Sequence, residues 1–380
     1  EDISKAYQAY EDLKRAERVI DFEDVLLLTV GMLEEDRTVR ERVRDQYRYF
    51  TVDEYQDVSP LQQRLLNLWL GNREDICVVG DASQTIYSFA GASSAFLLNF
   101  TKRFPNAQTF QLTRGYRSTP EIIKSANNLL RSAGVIGVET PELASMNESG
   151  AKPAVTAFDN NKNEVSQVSE RIKAMLNESG DLRRLSEIAI LARTNSQLDS
   201  FESELKSAGI PTQLKSAEKF FDRVDVKEAL REIRNASVIP SGNDWFEDLK
   251  AILRPFGEAD YVRAFINLAE DMKNEGATSL RQLLREIEDR IEQNNPPTLP
   301  GVVLATLHAA KGLEWDEVFL VGASENLLPL TVGANSAMAG GSEVNIEEER
   351  RLFYVGLTRA RSQIHISYVG RPSPFLASLN

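Results

Sequence analysis

A short apolar run, Tyr49-Phe50-Thr51-Val52, leads without a break into the carboxylate-rich Asp53-Glu54-Tyr55-Gln56-Asp57, and a helix pattern then runs from Pro60 to Leu70. Proline suits that first turn because its missing N–H is one of the donors that a helix start leaves unpaired anyway. The same grammar recurs. Ile76-Cys77-Val78-Val79 ends in Gly80-Asp81, and Phe110-Gln111-Leu112 precedes Arg114-Gly115-Tyr116-Arg117-Ser118 and a helix over about 120–130. Ile188-Ala189-Ile190-Leu191 precedes a helix over 196–208, stopped by Gly209. Val302-Val303-Leu304-Ala305 and Val318-Phe319-Leu320-Val321 flank a loop with His308 and Lys311-Gly312, and Ile364-His365-Ile366-Ser367 is the last strand. Apolar strands that end in polar loops and feed helices predict parallel α/β sheets with their chemistry at the strand C-termini.

The rest of the chain fits around this pattern. Helices are expected over 3–18 and 22–33, and between about 239 and 300 the pattern is helical only, closed by Asn294-Asn295-Pro296-Pro297 as a linker. The loops 132–152 and 333–344 are expected to be mobile. At 380 residues the chain has material for two to three domains. One cysteine, Cys77, leaves no intramolecular disulfide or Cys-rich zinc site and fits a reducing, cytoplasmic setting. Two histidines, His308 and His365, cannot build a multi-histidine metal centre. No apolar run approaches the roughly 18 residues of a helical membrane span, so no membrane partner is expected. The opening residues lack a signal-peptide pattern, and the start at Glu1 rather than Met is that expected of a fragment. A net charge of −13 argues against a broadly basic nucleic-acid binder. It leaves room for a protein that holds single strands in one local groove by stacking and charge.

Three groups of residues could carry chemistry. Asp53 and Glu54 at a strand end could hold magnesium and activate a water, or could simply be the acidic start of a helix. Gln84, past the second strand, could sense a phosphate or a water. Tyr87 and Phe89, two apart in an extended stretch, would project on one side and could stack bases at about 1–3 kcal/mol each, or be core rings. Arg117 and Arg359 could fork onto phosphoryl oxygens. Residues 347–361 read as one helix with Leu352, Val355 and Ala360 facing inward, on which Arg359 could equally be a solvated, ion-paired arginine.

In order and wording these segments resemble the UvrD/Rep/PcrA group of superfamily 1 DNA helicases. Val52-Asp53-Glu54-Tyr55-Gln56-Asp57 resembles the Walker B motif, and the run from Gly80-Asp81 to Gly91-Ala92 the motif that couples nucleotide to single-stranded DNA. The run from Leu112 to Ser118 resembles the fourth motif, and Phe221-Asp222-Arg223-Val224-Asp225-Val226-Lys227 the segment before the helical insertion. Thr306-Leu307-His308-Ala309-Ala310-Lys311-Gly312-Leu313-Glu314-Trp315-Asp316 resembles the fifth motif, and the run from Glu348 to Ala360 the sixth. The matches run from about residue 20 to 370, and the third motif is most like that of an actinobacterial paralogue branch.

The resemblance implies RecA-like, P-loop NTPase-type parallel sheets, the first one incomplete, with a small all-helical insertion. It divides the chain into a first motor domain over 1–108, a second over 109–238 and 301–380, and a reduced insertion over 239–300. It implies ATP and Mg2+ as cofactors, with single-stranded DNA and single-strand/duplex junctions as partners. Asp53 would hold the metal, Glu54 would activate the hydrolytic water, and Gln84 would contact the γ-phosphate. Tyr116 would stack on adenine, Arg117 and Arg359 would be arginine fingers, and Glu314 would touch the ribose. Tyr87, Phe89 and His308 would lie along the single strand. The implied activity is ATP-driven 3′–5′ movement on DNA in repair or replication, with two α/β units closing around the nucleotide.

There are departures. No Gly-Lys dipeptide occurs anywhere, so the phosphate-binding loop Gly-x-x-x-x-Gly-Lys-Ser/Thr is missing, and only 52 residues precede Asp53. The chain alone is therefore expected neither to bind ATP tightly nor to hydrolyse it. Ala90 and Gly115 stand where the group usually has arginine and asparagine, and no zinc-type cysteine set follows residue 370. The rival reading is a decayed, non-enzymatic homologue serving as a DNA-binding or assembly scaffold. Retention of Asp53, Glu54, Gln84, Arg117 and Arg359 speaks against decay.

Overall fold

The computed structural model describes residues 2–133, 142–179, 182–215, 220–237, 244–257, 259–292, 297, 301–331 and 345–379. Residues 294–296 of the expected linker 294–297, the loop 333–344, residues 134–141 of the loop 132–152 and both edges of the expected insertion lie outside the described residues. Contacts divide the chain into two compact units, the first formed by Glu1–Thr113, Ala133–Glu142 and Asn345–Leu352, the second by Arg114–Ser132, Leu143–Val344 and Phe353–Asn380.

The first unit runs α1 (Asp2–Glu17), α2 (Phe22–Glu35), α3 (Arg37–Gln46), β1 (Phe50–Val52), α4 (Pro60–Leu70), β2 (Ile76–Val78), α5 (Ala95–Leu98) and α6 (Phe100–Arg103). β1 and β2 pair in parallel, Phe50 opposite Ile76 and Val52 opposite Val78. Among the described residues this sheet has two strands. Val30 and Leu33 of α2 meet Leu65 of α4 in a small core, with Val39, Val43 and Trp69 packed around it. Asp36 makes the turn between α2 and α3. Its N–H donates to Met32 O at the end of α2, and its carboxylate accepts from Thr38 and Val39 at the start of α3.

Arginines finish the helix ends, whose last carbonyls have no partner within the helix. Arg40 donates to Leu33 O and Glu34 O, and Arg44 to Leu68 O. Arg73 reaches Trp69 O and Leu70 O as well as Arg44 O and Tyr47 O. These cations also complement the negative ends of the helix dipoles.

The second unit contains β3 (Arg114–Gly115), α7 (Pro120–Arg131), β4 (Ala144–Ser145), β5 (Ala154–Phe158), α8 (Asn161–Ser179), β6 (Ile188–Ala192), α9 (Asn195–Ser207) and β7 (Thr212–Lys215). It continues with α10 (Val224–Ala236), α11 (Trp245–Leu253), α12 (Asp260–Asn274), α13 (Leu280–Glu292), β8 (Val302–Thr306), β9 (Trp315–Leu320), α14 (Ile346–Leu357) and β10 (Ala360–Val369). The first residues of α14, through Leu352, group with the first unit. Six strands form one parallel sheet in the order β5-β10-β9-β6-β8-β7. β6 is buried along its whole length, as a central parallel strand covered on both faces must be. α8 and α9 supply Val168, Ile172, Leu198, Phe201 and Leu205 to one face. α14 packs so closely that a Cβ added at Gly356 would lie 2.6 Å from Leu307 Cδ2 and 2.9 Å from Leu320 Cδ1.

The fold is mixed α/β with parallel sheets and an all-helical subdomain, as expected, but several local readings change. The helical cluster begins earlier than residue 239: Phe221 and Val226, Leu230 and Ile233 of α10 share one core with Trp245, Phe265 and Leu283. The helix expected over 347–361 stops at Leu357, and Ala360 and Arg361 open β10. Side chains compete for its last carbonyls, since Thr358 Oγ1 donates to Tyr354 O and Val355 O and Arg359 Nε to Val355 O. Phe110-Gln111-Leu112 is not a strand, and Phe110 and Leu112 are exposed. A strand needs a partner edge to satisfy its backbone, and none among the described residues pairs with this segment. The expected extended stretch at Tyr87–Phe89 is instead a 3-10 turn, Ser88–Ala90.

Two predictions follow from the packing. Gly356→Ala gains up to about 1 kcal/mol of helix propensity but overpacks Leu307 and Leu320 at about 1–3 kcal/mol, so the variant is less stable in urea unfolding. In the first unit, hydrogen bonds from Lys14, the Asp24 amide and the Tyr10 hydroxyl hold the Asp21 carboxyl well below the usual carboxylate range. The stability this supplies is present above the unfolded value of about 3.9 and is lost as pH falls toward the depressed folded value. Helical circular dichroism of the chain should therefore melt at lower temperature with falling acid pH, and Asp21→Asn should flatten that dependence.

Candidate functional site

In the first unit, the candidate residues gather at the C-terminal ends of β1 and β2. Glu54 follows β1 in left-handed backbone, φ 50°, ψ 39°, a conformation that non-glycine residues adopt at a cost and that recurs at functional sites. Asp53 Oδ1 accepts from the Glu54 amide at 2.8 Å. Gln56, 1% exposed, donates from Nε2 to Glu54 Oε2 and accepts the Asp81 amide on Oε1 at 3.0 Å. One buried amide side chain thus ties the loop after β1 to the loop after β2. Glycine is required opposite it, because a Cβ at Gly80 would sit 2.5 Å from Gln56 Oε1 and 3.2 Å from the Tyr55 amide nitrogen. Asp81 accepts from Ser83 N and from Gln84 Nε2, both at 2.9 Å, which sets the Gln84 side chain beside this carboxylate rim. Burial, with the charges of Asp57 and Glu54 nearby, pushes the Tyr87 phenol up. Phe89 is 77% exposed, its ring 6.1 Å from that of Tyr87 and inclined at 66°.

In the second unit, four more candidates meet around residues 313–316. Arg117 Nε donates to Glu314 Oε2, and Arg361 Nη1 donates to Glu314 Oε1 at 3.4 Å. Arg361 also donates to Asp316 Oδ1 at 2.7 Å and to Glu187. Burial pushes the Glu314 carboxyl up, but Arg117 and Arg361 together outweigh it, and the net shift is downward. Arg359 is 2% exposed, and its guanidinium donates to Val355 O, to Leu313 O at 3.1 Å and to Thr358 Oγ1 at 3.2 Å. The segment after β3 is stitched to the start of β10, with Thr119 N donating to Arg361 O at 3.1 Å and Ser118 Oγ to Ala360 O at 2.5 Å. Tyr116 stands exposed beside them, its carbonyl held by Asn147 Nδ2.

His308 lies in the turn after β8, half-buried. The Leu307 amide donates to Ala192 O at the end of β6, so this turn adjoins Arg193-Thr194-Asn195, where Thr194 and Gln197 form the capping box of α9. That polar tripeptide was not singled out in the sequence, although a polar run straight after an apolar strand and before a helix was the available signal. Gln56 and Arg361 were also missed as candidates, because only tertiary contacts show what they hold. Among the described residues no group of three or more His, Cys, Asp or Glu could hold a metal by itself. Asp53 therefore offers one carboxylate, the share a protein supplies when a magnesium ion keeps its waters and binds substrate phosphates.

Two family models match the chain in order. The UvrD/REP helicase N-terminal domain covers residues 1–105, and the UvrD-like helicase C-terminal domain covers 110–237 and 255–371. The chain is 41% identical over 390 residues to ATP-dependent DNA helicase UvrD2 of Mycobacterium tuberculosis (strain ATCC 25618 / H37Rv), covering 98% of this chain and 55% of that protein. It is 27% identical over 457 residues to ATP-dependent DNA helicase PcrA of Bacillus subtilis (strain 168), covering 96% of this chain and 60% of that protein. The chain thus spans little more than half the length of these curated relatives. With both domain models matched across the segments that carry its strand-end carboxylates and clustered arginines, the chain belongs to the UvrD/REP family of helicases.

Proposed function

We propose that this chain is the part of an ATP-dependent, 3′–5′ DNA helicase that carries the water-activating, charge-stabilising and strand-contacting residues. The observation that carries the reading is Glu54. It is a non-glycine residue in left-handed backbone at a parallel strand end, its carboxylate held by the buried Gln56. Such a group is pre-aimed, so little ordering is left to do when a water must be oriented and deprotonated.

Asp53 would hold magnesium, which when bound neutralises charge on the β- and γ-phosphates. Gln84 would contact the terminal phosphate. Arg117 and Arg359 carry fixed positive charge for a phosphoryl group, Tyr116 offers an exposed ring for adenine, and Glu314 is the group for the ribose. Tyr87, Phe89 and His308 would contact single-stranded DNA, and single-strand/duplex junctions would be the substrates, in cytoplasmic repair or replication. Because the sequence lacks a Gly-Lys dipeptide, no loop lysine is available to cradle the phosphates. The chain alone is inactive in this reading.

The test is ATP hydrolysis in the presence of single-stranded DNA, comparing this chain with one extended upstream by parent sequence containing the phosphate loop. Turnover is expected only in the extended form, abolished by Glu54→Gln and lowered on the order of 10³-fold or more by Arg117→Ala. Turnover by the short chain would overturn the argument from the missing cradle. No turnover in either form, with DNA still bound, would favour a non-enzymatic scaffold.

A further inference from the structure

The turn that carries Tyr87 and Phe89 is held from outside. The Ser88 amide donates to Glu348 Oε1 at 2.9 Å, and the Ser88 hydroxyl donates to Glu348 Oε2. Glu348 lies in the first turn of α14, where Asn345 caps it: the Glu348 amide donates to Asn345 O at 3.0 Å and Asn345 Oδ1 at 3.2 Å. One helical turn further, Arg351 Nη1 donates to Thr85 O at 3.3 Å. Within the turn, Ala90 N donates to Tyr87 O, Gly91 N to Ser88 O, and Ala92 N to Tyr87 O. Ser88 stands between the two rings, so its two donors, the amide and the hydroxyl, fixed by a single carboxylate, help set the backbone that aims them. Phe89 itself is largely exposed.

We propose that Glu348 is a positioning residue for single-stranded DNA, holding Ser88 so that the rings of Tyr87 and Phe89 present a preformed stacking surface. The proposal rests on the reading of those rings as base contacts. The loop's own hydrogen bonds close the turn, and the first turn of a helix distant in sequence braces it from outside. Glu348 does not touch the nucleic acid. Its negative charge would repel a phosphate backbone, so electrostatics and positioning predict opposite outcomes when it is removed.

The experiment measures binding of a fluorescent oligo(dT) by anisotropy at several salt concentrations, with the full chain and the variants F89A, E348A, E348Q and S88A, each checked for folding by circular dichroism. F89A should weaken binding on the order of tenfold, the loss expected of one stacked base. E348A should weaken it severalfold with an unchanged salt slope. S88A, which keeps the amide contact, should fall between E348A and the parent chain. E348Q keeps both contacts, its amide oxygen accepting the Ser88 amide and its NH2 donating to Ser88 Oγ, and should bind like the parent, which a merely acidic role would not produce. Unchanged or tighter binding by E348A, alongside weak binding by F89A, overturns the positioning role and leaves the stacking reading intact. An F89A variant that binds normally overturns both.

Discussion

The parallel pairing of β6 with β8 on one side and β9 on the other removes every residue of β6 from water. A strand in that position can carry no polar side chain without a partner, so polar chemistry is displaced to where the strands end and the chain turns. The second unit obeys this, and in the first the polar residues likewise follow the strands, although β1 and β2 are only partly buried. The carboxylates follow β1 and β2, the Arg193–Asn195 tripeptide follows β6, and His308 follows β8. In each unit the candidate residues are polar groups at the strand ends, positioned by the strands beneath.

Arginine use shows how little residue type says by itself. Arg40, Arg44 and Arg73 are committed to helix-terminal carbonyls. Arg359, proposed with Arg117 as a phosphoryl ligand, is likewise buried on carbonyls. Arg117 is engaged by Glu314, which Arg361 holds from the other side. An anion reaching Arg117 would compete with a carboxylate whose ionised form two guanidiniums already favour. An always-charged side chain in a protein of net charge −13 finds internal partners, and a functional arginine differs from a structural one only in what can displace those partners.

How far each element was legible follows from burial. Central strands β6, β8 and β9 and helices α4, α7 and α9 announce themselves, because strands hidden on both faces read as apolar runs and capped amphipathic helices as periodic ones. Strands β5 and β7 lie outside the strand pattern of the sequence analysis, although Ala154-Val155-Thr156-Ala157-Phe158 is largely apolar. Both lie at the edges of the sheet, and β5 is exposed along most of its length. Phe110–Leu112 failed in the opposite way, looking like a strand yet finding no partner among the described residues. The end of α14 was misplaced because Thr358 and Arg359 take its last carbonyls with their side chains, a competition that helix periodicity cannot register.

The sequence by itself determined the parallel α/β class, the family and the residues at the strand ends, because burial pattern, turn chemistry and motif order are local and survive in one dimension. Only the tertiary structure decided what holds those residues. Gln56 bridges two loops from between Glu54 and Asp81, Glu314 sits between two arginines, and Glu348 closes on Ser88 from 260 positions away. Each of these bridges joins segments that are 25 or more positions apart along the chain. Its energy depends on a distance that folding sets and that no spacing in the sequence encodes.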